Sequence, residues 1–572
     1  MSKDHSTYIF IDVSKKQSFI YKNNRLKDNV YNSVIIKAIT ETLEEDLNEE
    51  NMTNDMKILY KKLKKEMIFL KYELDKLKEE GKIIETMYSG GGNSIIKFED
   101  KKTAIQFIEN YSLKIYEKFP QLELYISYVE GSEFDMDEEK IHKELHKRAD
   151  KLKDARRGQI KRLTYGVEQI DELGYPKQNL SEKKCFKEAK NFLQSKLKKD
   201  LNEKNIEFTY ELESYKKINK ALKDDSIVKN HMGVIAIDGN KMGELVNAIK
   251  TMDKEKSYYY YLKQMSKEIS KVYYESVKNA LLTVAKKRNG IMITPIVLAG
   301  DDICLITQGT IAIELAAEMI NQLHILSDTS KLDKKSILKK LMENKNIKNL
   351  TAAAGVCIVK PGYPFFESIK IAESRQSFGK TSMHKIKTIE TDQDNKRDSP
   401  KVANVSMIDW EIVKGSDKEE IDYLEYISEG SKIKTYHIKP LWITTPRYKG
   451  NKFYQEGTFL YEGFKNIVEK IQGMKKKGEI SSSELQKIKN AMYSGEKQYE
   501  LVFDMQKTTG INNLETMINQ ELNQENSSVE KRYCIFNKPC QEDEEKNESI
   551  YILNDIIDVL DFMEPVKMGG AE

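Results

Sequence analysis

"VIAIDGNKMGEL" (residues 234–245) and "PIVLAGDDICLI" (residues 295–306) decide how this chain is read. Each is an apolar run that ends in carboxylates beside glycine. A short apolar run bounded by turn residues reads as a buried strand. Asp238 then stands where a strand gives way to a loop, and Asp301 and Asp302 stand at a β-hairpin tip that Gly300 relieves. If the two strands are neighbours, three carboxylates meet at one sheet edge. Such a cluster is costly unless a cation neutralises it. Mg2+ is the natural candidate, or Mn2+, because hard cations take oxygen ligands and bind one or two carboxylates together with substrate phosphates. The expected ligands of two such ions are Asp238, Gly239, Asp301 and Asp302.

The residues between the acids fit a nucleotide. Gly239 and Gly243 let backbone and triphosphate approach closely, and N–H groups at the start of a helix expected over 241–250 favour anions. Asn240, Lys241 and Met242 belong to the same loop, and Lys380, after "AESRQSFG", is a phosphate counter-charge. Either motif alone is ordinary turn chemistry. Their order, spacing and strand flanks together imply two-metal nucleotidyl transfer.

The layout around these motifs occurs twice. Residues 7–13 read as a strand, 31–80 as helices, "TMYSGGGNSIIKF" (86–98) as a hairpin, 103–119 as a helix and 122–131 as a strand. After a charged helix over 137–164 and a mostly helical stretch, the pattern restarts at 233–238. It continues with helices over 241–287, a hairpin at 299–302, a helix at 310–327, a strand at 350–360 and a helix at 364–380. Two copies of one unit, roughly 225 residues apart, are expected. The segments are 1–135, 136–230, 231–415 and 416–572, the last mainly helical. Its "FLYEGFKNIVEKIQGMKKKGEISSSELQKIKNAM" (459–492) reads as two helices with serine N-cap candidates between them.

Composition bounds the rest. At 572 residues the chain exceeds one ordinary core. Its 94 basic and 91 acidic residues nearly balance, so mean charge is no argument for a nucleic-acid partner. No apolar run approaches the roughly 20 residues of a membrane helix. Five cysteines without a C-x-x-C pair fit a reducing, cytoplasmic setting. His324 and His384 read as surface or packing residues, Trp410 and Trp442 as core aromatics, and Cys304 and Cys357 as small buried hydrophobes in strands.

"IAIDGNKMGEL", "AGDDICLI" and "LTAAAGVCIVKPGYPFFESIKIAE", in that order, resemble the second palm domain of the large subunit of type III CRISPR effector complexes. That family's metal motif is Gly-Gly-Asp-Asp; here Ala299 replaces the first glycine and both acids remain. Residues 7–130 resemble its first palm, with "YSGGGN" (88–93) at the hairpin. No acid stands at that tip, so Asp12 lacks partners and this palm is expected to bind nucleotide without catalysing. The acceptor pocket is expected around Asp12, Ser33, Gly90, Gly91, Gly92 and Asn93. The region matching the family's zinc cluster keeps only Cys185, so no zinc is expected, and without a His-Asp dipeptide the family's nuclease domain is expected to be absent.

The resemblance implies an α+β fold: two ferredoxin-like palm domains, a helical middle domain and a C-terminal all-α domain. It implies a target-RNA-activated synthase that joins ATP into cyclic oligoadenylate second messengers and releases pyrophosphate. One alternative joins ATP to S-adenosylmethionine. Another is a non-catalytic RNA-binding scaffold using basic stretches such as 151–162. A diguanylate-type cyclase would carry a single palm and a Gly-Gly-Glu-Glu-Phe-like tip. A template-directed polymerase would want a long basic cleft. The implied partners are CRISPR RNA and target RNA, backbone and small subunits of the complex, and no membrane.

Overall fold

The computed structural model describes residues 5–43, 67–155, 197–217, 230–383, 405–413, 427–445, 453–522, 531–539 and 547–563, less residues 23, 202–204, 254, 289, 430–431, 456–457 and 507. The first unit runs β1 (Thr7–Ser14), α1 (Lys16–Ile20), α2 (Leu26–Thr40), α3 (Leu70–Glu79), β2 (Ile84–Gly90), β3 (Asn93–Phe98), α4 (Lys101–Lys118), β4 (Glu123–Glu130) and α5 (Glu138–Ala155). Its sheet has the order β2-β3-β1-β4, with every pairing antiparallel. β1 is buried along nearly all its length, as its unbroken apolar run requires.

The second unit is entered through β5 (Ile206–Phe208) and α6 (Ser214–Lys217). It comprises β6 (Met232–Gly239), α7 (Met242–Ala248), α8 (Tyr258–Arg288), β7 (Ile291–Ala299), β8 (Asp302–Gln308), α9 (Ala312–Leu326), α10 (Ile337–Asn344), β9 (Ala352–Val359) and α11 (Phe365–Ser382). With β10 (Ser406–Ile412) and β13 (Leu441–Ile443) they build a seven-stranded sheet ordered β13-β10-β9-β6-β8-β7-β5. Its inner strands β9-β6-β8-β7 repeat the order β4-β1-β3-β2 of the first sheet, antiparallel throughout. Both units thus follow the split β-α-β order.

The correspondence reaches single residues. Asp12 pairs with Asn93, and Ile237 with Ile303, which sets Asp238 opposite Asp302 on the next rung. Gly90 faces Asn93 across one hairpin and Ala299 faces Asp302 across the other. Each hairpin carries a bulge at the same place, at Met87 and at Ile296. Lys15 and Lys241, just before α1 and α7, both adopt the left-handed conformation, with φ of 53° and 58°. The helices α5 and α11 are both 18 residues long and cover the corresponding strands. The units also clasp each other reciprocally: α2 packs on β7, and α8 packs on β2.

Helices do occupy the described part of 31–80: α2 runs to Thr40 and α3 covers Leu70–Glu79. Two expectations change. The helix expected to open a middle domain, α5, packs on β1 and β4, so the first unit extends past residue 135. Most of the remaining middle segment, including Cys185, lies outside the described residues, as do His384 and Cys540. The C-terminal part is not all-α. β11 (Ile427–Glu429), β12 (Lys432–Thr435), β16 (Lys531–Arg532), β17 (Ile535–Pro539) and β18 (Asn547–Tyr551) form a five-stranded sheet. β14 (Tyr454–Gln455) and β15 (Thr458–Phe459) form a ribbon. Lys432 pairs with Asn547, a partner too distant for local periodicity to reveal, and the Lys and Glu on these strands mask their apolar positions.

The helical part of that segment does follow the sequence. α12 (Tyr461–Lys476) and α13 (Ser482–Met492) are joined by a turn in which Ser481 and Glu484 form a capping box, and α14 (Glu496–Met505), α15 (Thr509–Leu522) and α16 (Leu553–Val559) complete it. His324 is a packing residue: it is fully buried, its Nε2 lies 2.7 Å from Ser406 Oγ, and burial lowers its pKa to about 4. Trp410, Trp442, Cys304 and Cys357 are buried as well. Among the described residues no helix is long and apolar enough to cross a membrane.

Candidate functional site

The acids of the second unit meet because two backbone devices bring them together. Gly300, at φ +65°, takes the first central position of the β7–β8 turn, and Asp301 takes the second, the glycine placement of a II′ hairpin. Gly239 closes β6. A Cβ there would stand 2.6 Å from Tyr273 Oη and 2.9 Å from Asp301 Cβ, so glycine alone lets the hairpin tip press against the strand end. Withdrawal from water raises the Asp301 pKa, and the charge of Asp238 raises it further. Asp302 is pushed up to about 7, first by the protein crowded around it and then by Asp238 and Asp301. One side of Asp302 remains open to solvent, which tempers this effect.

Helix α11 supplies the other side of the site. A Cβ on Gly355 of β9 would overlap the carbonyl of Ala372 and the amide of Gln376, so the missing side chain lets the helix lie directly on the sheet. The helix then presents Glu373, Gln376 and Lys380 on one stripe. Gln376 Nε2 donates to Asp238 Oδ2 at 3.4 Å. Lys380 Nζ donates to Asp238 Oδ2 and, at 2.9 Å, to the Gly239 carbonyl. An ammonium therefore rests on two of the oxygens expected to hold a metal ion. As the side chains stand, no three His, Cys, Asp or Glu residues among those described are gathered tightly enough to hold one. The all-oxygen donor set, the mutual repulsion of the acids and the cation already drawn onto Asp238 all suit a hard divalent ion.

Between the units lies a cavity of about 220 Å³. The second unit contributes Asp238, Asp302, Ala236, Cys304, Ile296, Glu373 and Gln376 to its lining. The first unit closes it with α1, Tyr21, α2, Glu41 and the Gly91–Gly92 turn. Of the first-unit residues expected at an acceptor pocket, Ser33, Gly91 and Gly92 line this cavity, whereas Asp12, Gly90 and Asn93 do not. Gly90 faces Ser266 of α8 instead. Asn240 is buried and ties the strand end inward, its Nδ2 donating to Val405 O at 3.0 Å and Thr351 Oγ1 at 3.3 Å. Lys241, Met242, Gly243 and Gly300 sit on the loop and tip outside the cavity.

Asp12 faces Asn93 and, among the described residues, no second acid, and its partners are lysines. Lys16 Nζ and Lys153 Nζ lie 3.1 and 3.0 Å from its two oxygens. Burial opposes its ionisation, but the two lysines outweigh burial and lower its pKa. An acid does approach the first tip: Glu41 Oε1 accepts from Gly92 N at 2.8 Å. Glu41, Glu373 and Tyr21 had no signal in the sequence, because each belongs to a helix face or helix end that becomes a wall only when the units pack.

No protein-family profile and no curated protein matches this chain. Solved structures do. Structural neighbours include Csm1–Csm4 cassettes. One, in complex with pppApApA, is 13% identical, with a TM-score of 0.38 over 66% of this chain and 53% of that one. A Csm1–Csm4 subcomplex of the type III-A CRISPR-Csm interference complex is 14% identical, with a TM-score of 0.38 over 66% of this chain and 54% of that one. A cassette in complex with cA4 is 13% identical, with a TM-score of 0.37 over 66% and 53% of the two chains. The chain spans about half the length of the solved chains it matches. At this identity and overlap the likeness carries no functional conclusion of its own.

Proposed function

We propose that this chain is a palm-domain large subunit of a type III CRISPR effector complex. In this reading its second unit is a nucleotidyltransferase that converts ATP into a nucleotide second messenger, a cyclic oligoadenylate, with release of pyrophosphate. The observation that carries the proposal is the meeting of Asp238, Asp301 and Asp302 at the mouth of a cavity whose far wall is a second copy of the same fold. Two divalent ions on Asp238, Gly239 O, Asp301 and Asp302 would supply activation of the attacking hydroxyl and neutralisation of the leaving pyrophosphate.

The chain's own residues do the rest. With a cation on Asp238, Lys380 would be free to take a phosphate oxygen, keeping the same neutralising role. Gly239 and Gly300 keep the hairpin tip against the strand end. The first unit closes the cavity and holds the acceptor against Ser33 and the Gly91–Gly92 turn. Target RNA paired with CRISPR RNA on neighbouring subunits activates the site in the cytoplasm. The acceptor is a second ATP, or S-adenosylmethionine in the conjugating alternative.

The test is mass spectrometry of products from the assembled complex with Mg2+, ATP and matching target RNA, with and without S-adenosylmethionine. An oligoadenylate ladder supports the cyclic synthase. A single adduct that needs S-adenosylmethionine moves the product to the conjugate. No product, with RNA still bound, leaves a scaffold.

A further inference from the structure

Glu373 has no task in the metal site, yet it lies on the same stripe of α11 as the two residues that reach Asp238. It lines the cavity and is half-buried, and no described residue hydrogen-bonds to it or pairs with it. The like charge of Asp302 acts on it across the same cavity. A carboxylate kept out of water beside another acid costs stability unless a ligand donates to it.

The fold does not demand an acid at this position. Lys153 and Lys380 hold Asp12 and Asp238 from corresponding places on α5 and α11, and seven residues earlier on each helix stand His146 and Glu373. The His146 ring is half-buried, packs on Phe10 at 4.2 Å between centroids and borders a groove with His142 and Lys147, so the first unit carries no acid here. In the second unit the acid lines the cavity between the units.

The dimensions suit a nucleoside. Seven helical residues separate Glu373 from Lys380 by on the order of 10 Å, about the span from a sugar phosphate to the far edge of a purine. The cavity that Glu373 lines has an apolar share, Ile20, Val34, Ala236 and Ile296, beside the polar Lys16 and Lys37, and Tyr21 and Cys304 lie close enough to feel the Glu373 charge. We propose that Glu373 is a base-specificity residue: its carboxylate accepts from the exocyclic amine of an adenine seated in this cavity, while the phosphates lie toward Lys380 and the acids. This rests on the nucleotidyltransferase reading and adds the base-reading group to it. At position 6 a 6-oxo purine offers an acceptor where adenine offers a donor, so a carboxylate seated on that substituent, and not on the neighbouring N1–H, rejects it.

Equilibrium dialysis of the full chain with Mn2+ tests this, comparing ATP with inosine triphosphate. The wild type binds ATP at least about tenfold more tightly, the size expected for a charge-assisted hydrogen bond. Glu373→Gln can donate as well as accept, so the preference shrinks to about twofold or less by the same reasoning. Glu373→Ala weakens ATP while the melting temperature holds or rises, because a desolvated acid has been removed. An unchanged ATP preference in Glu373→Gln overturns the proposal and leaves the nucleotidyltransferase reading intact. Failure of the wild type to bind either nucleotide, together with no product from the assembled complex, overturns both.

Discussion

The first and second units share strand order, hairpin bulges, a left-handed lysine and paired 18-residue helices, yet they treat the same aspartate in opposite ways. In the first, Asp12 faces Asn93 and is neutralised by Lys16 and Lys153, and those two cations outweigh burial and lower its pKa. In the second, Asp238 faces Asp302 beside Asp301, a single lysine reaches it, and the hairpin acids are driven upward. The covering helices differ in the same sense. Ser127 Oγ of β4 donates to the Leu145 carbonyl of α5 at 2.8 Å, whereas at the matching contact Gly355 of β9 lets α11 lie directly against the sheet. One scaffold has thus been settled into a salt-bridged wall, and in the other three acids crowd around one lysine. Acids that outnumber their cation are what a site that awaits a metal ion looks like.

The largest effect that would sharpen this contrast is on activity. Asp301→Ala with Asp302→Ala is expected to lower product formation at least about 100-fold, the scale for removing transition-state charge stabilisation. Next comes stability. Gly355→Ala drives a methyl into the helix backbone and is expected to cost about 3 kcal/mol, whereas Ser127→Ala loses one hydrogen bond for about 1 kcal/mol. Urea unfolding of the two variants gives the ratio, and equal costs would break the proposed difference in helix seating.

A subtler pair of variants reads the charge. Lys153→Met leaves Asp12 with one cation and is expected to destabilise the chain by about 1 kcal/mol at pH 7. Lys380→Met should instead raise Mn2+ affinity at the acids, measured by titration calorimetry, because the competing ammonium is gone. The smallest effect is in pH. The raised Asp302 pKa makes the metal-free folded state hold a proton that the unfolded chain has released, so this group's contribution weakens as pH rises from the ordinary aspartate value toward about 7. The lowered Asp12 pKa acts the other way: its contribution is present above the ordinary aspartate value and is lost as pH falls through its folded pKa. Asp302→Asn and Asp12→Asn should therefore change the slope of melting temperature against pH in opposite directions.

Much of this was legible in the chain. Asp238, Asp301 and Asp302 announce themselves because buried strands are continuous apolar runs and an acid at their end breaks the pattern. The duplication showed as layout, since strand and hairpin signals are local. What the sequence hid is what depends on packing between distant segments. Lys153 reads as one more lysine on a charged helix until α5 folds back on β1. Glu373 and Tyr21 read as ordinary helix-face and helix-end residues until the units close on each other. The C-terminal strands are short, rich in Lys and Glu, and paired across more than a hundred residues, so their helical appearance was misleading.

The central claim is that two like units divide into a catalytic one and a closed one. Its most direct test is to quantify nucleotide products of the assembled complex, with matching target RNA and ATP, for Asp301→Ala plus Asp302→Ala beside Asp12→Asn. The account predicts loss of product in the first and yield within about twofold of wild type in the second, since Asp12 touches neither the cavity nor the acids. Equal loss in both, with each variant folded and bound to RNA, would contradict it.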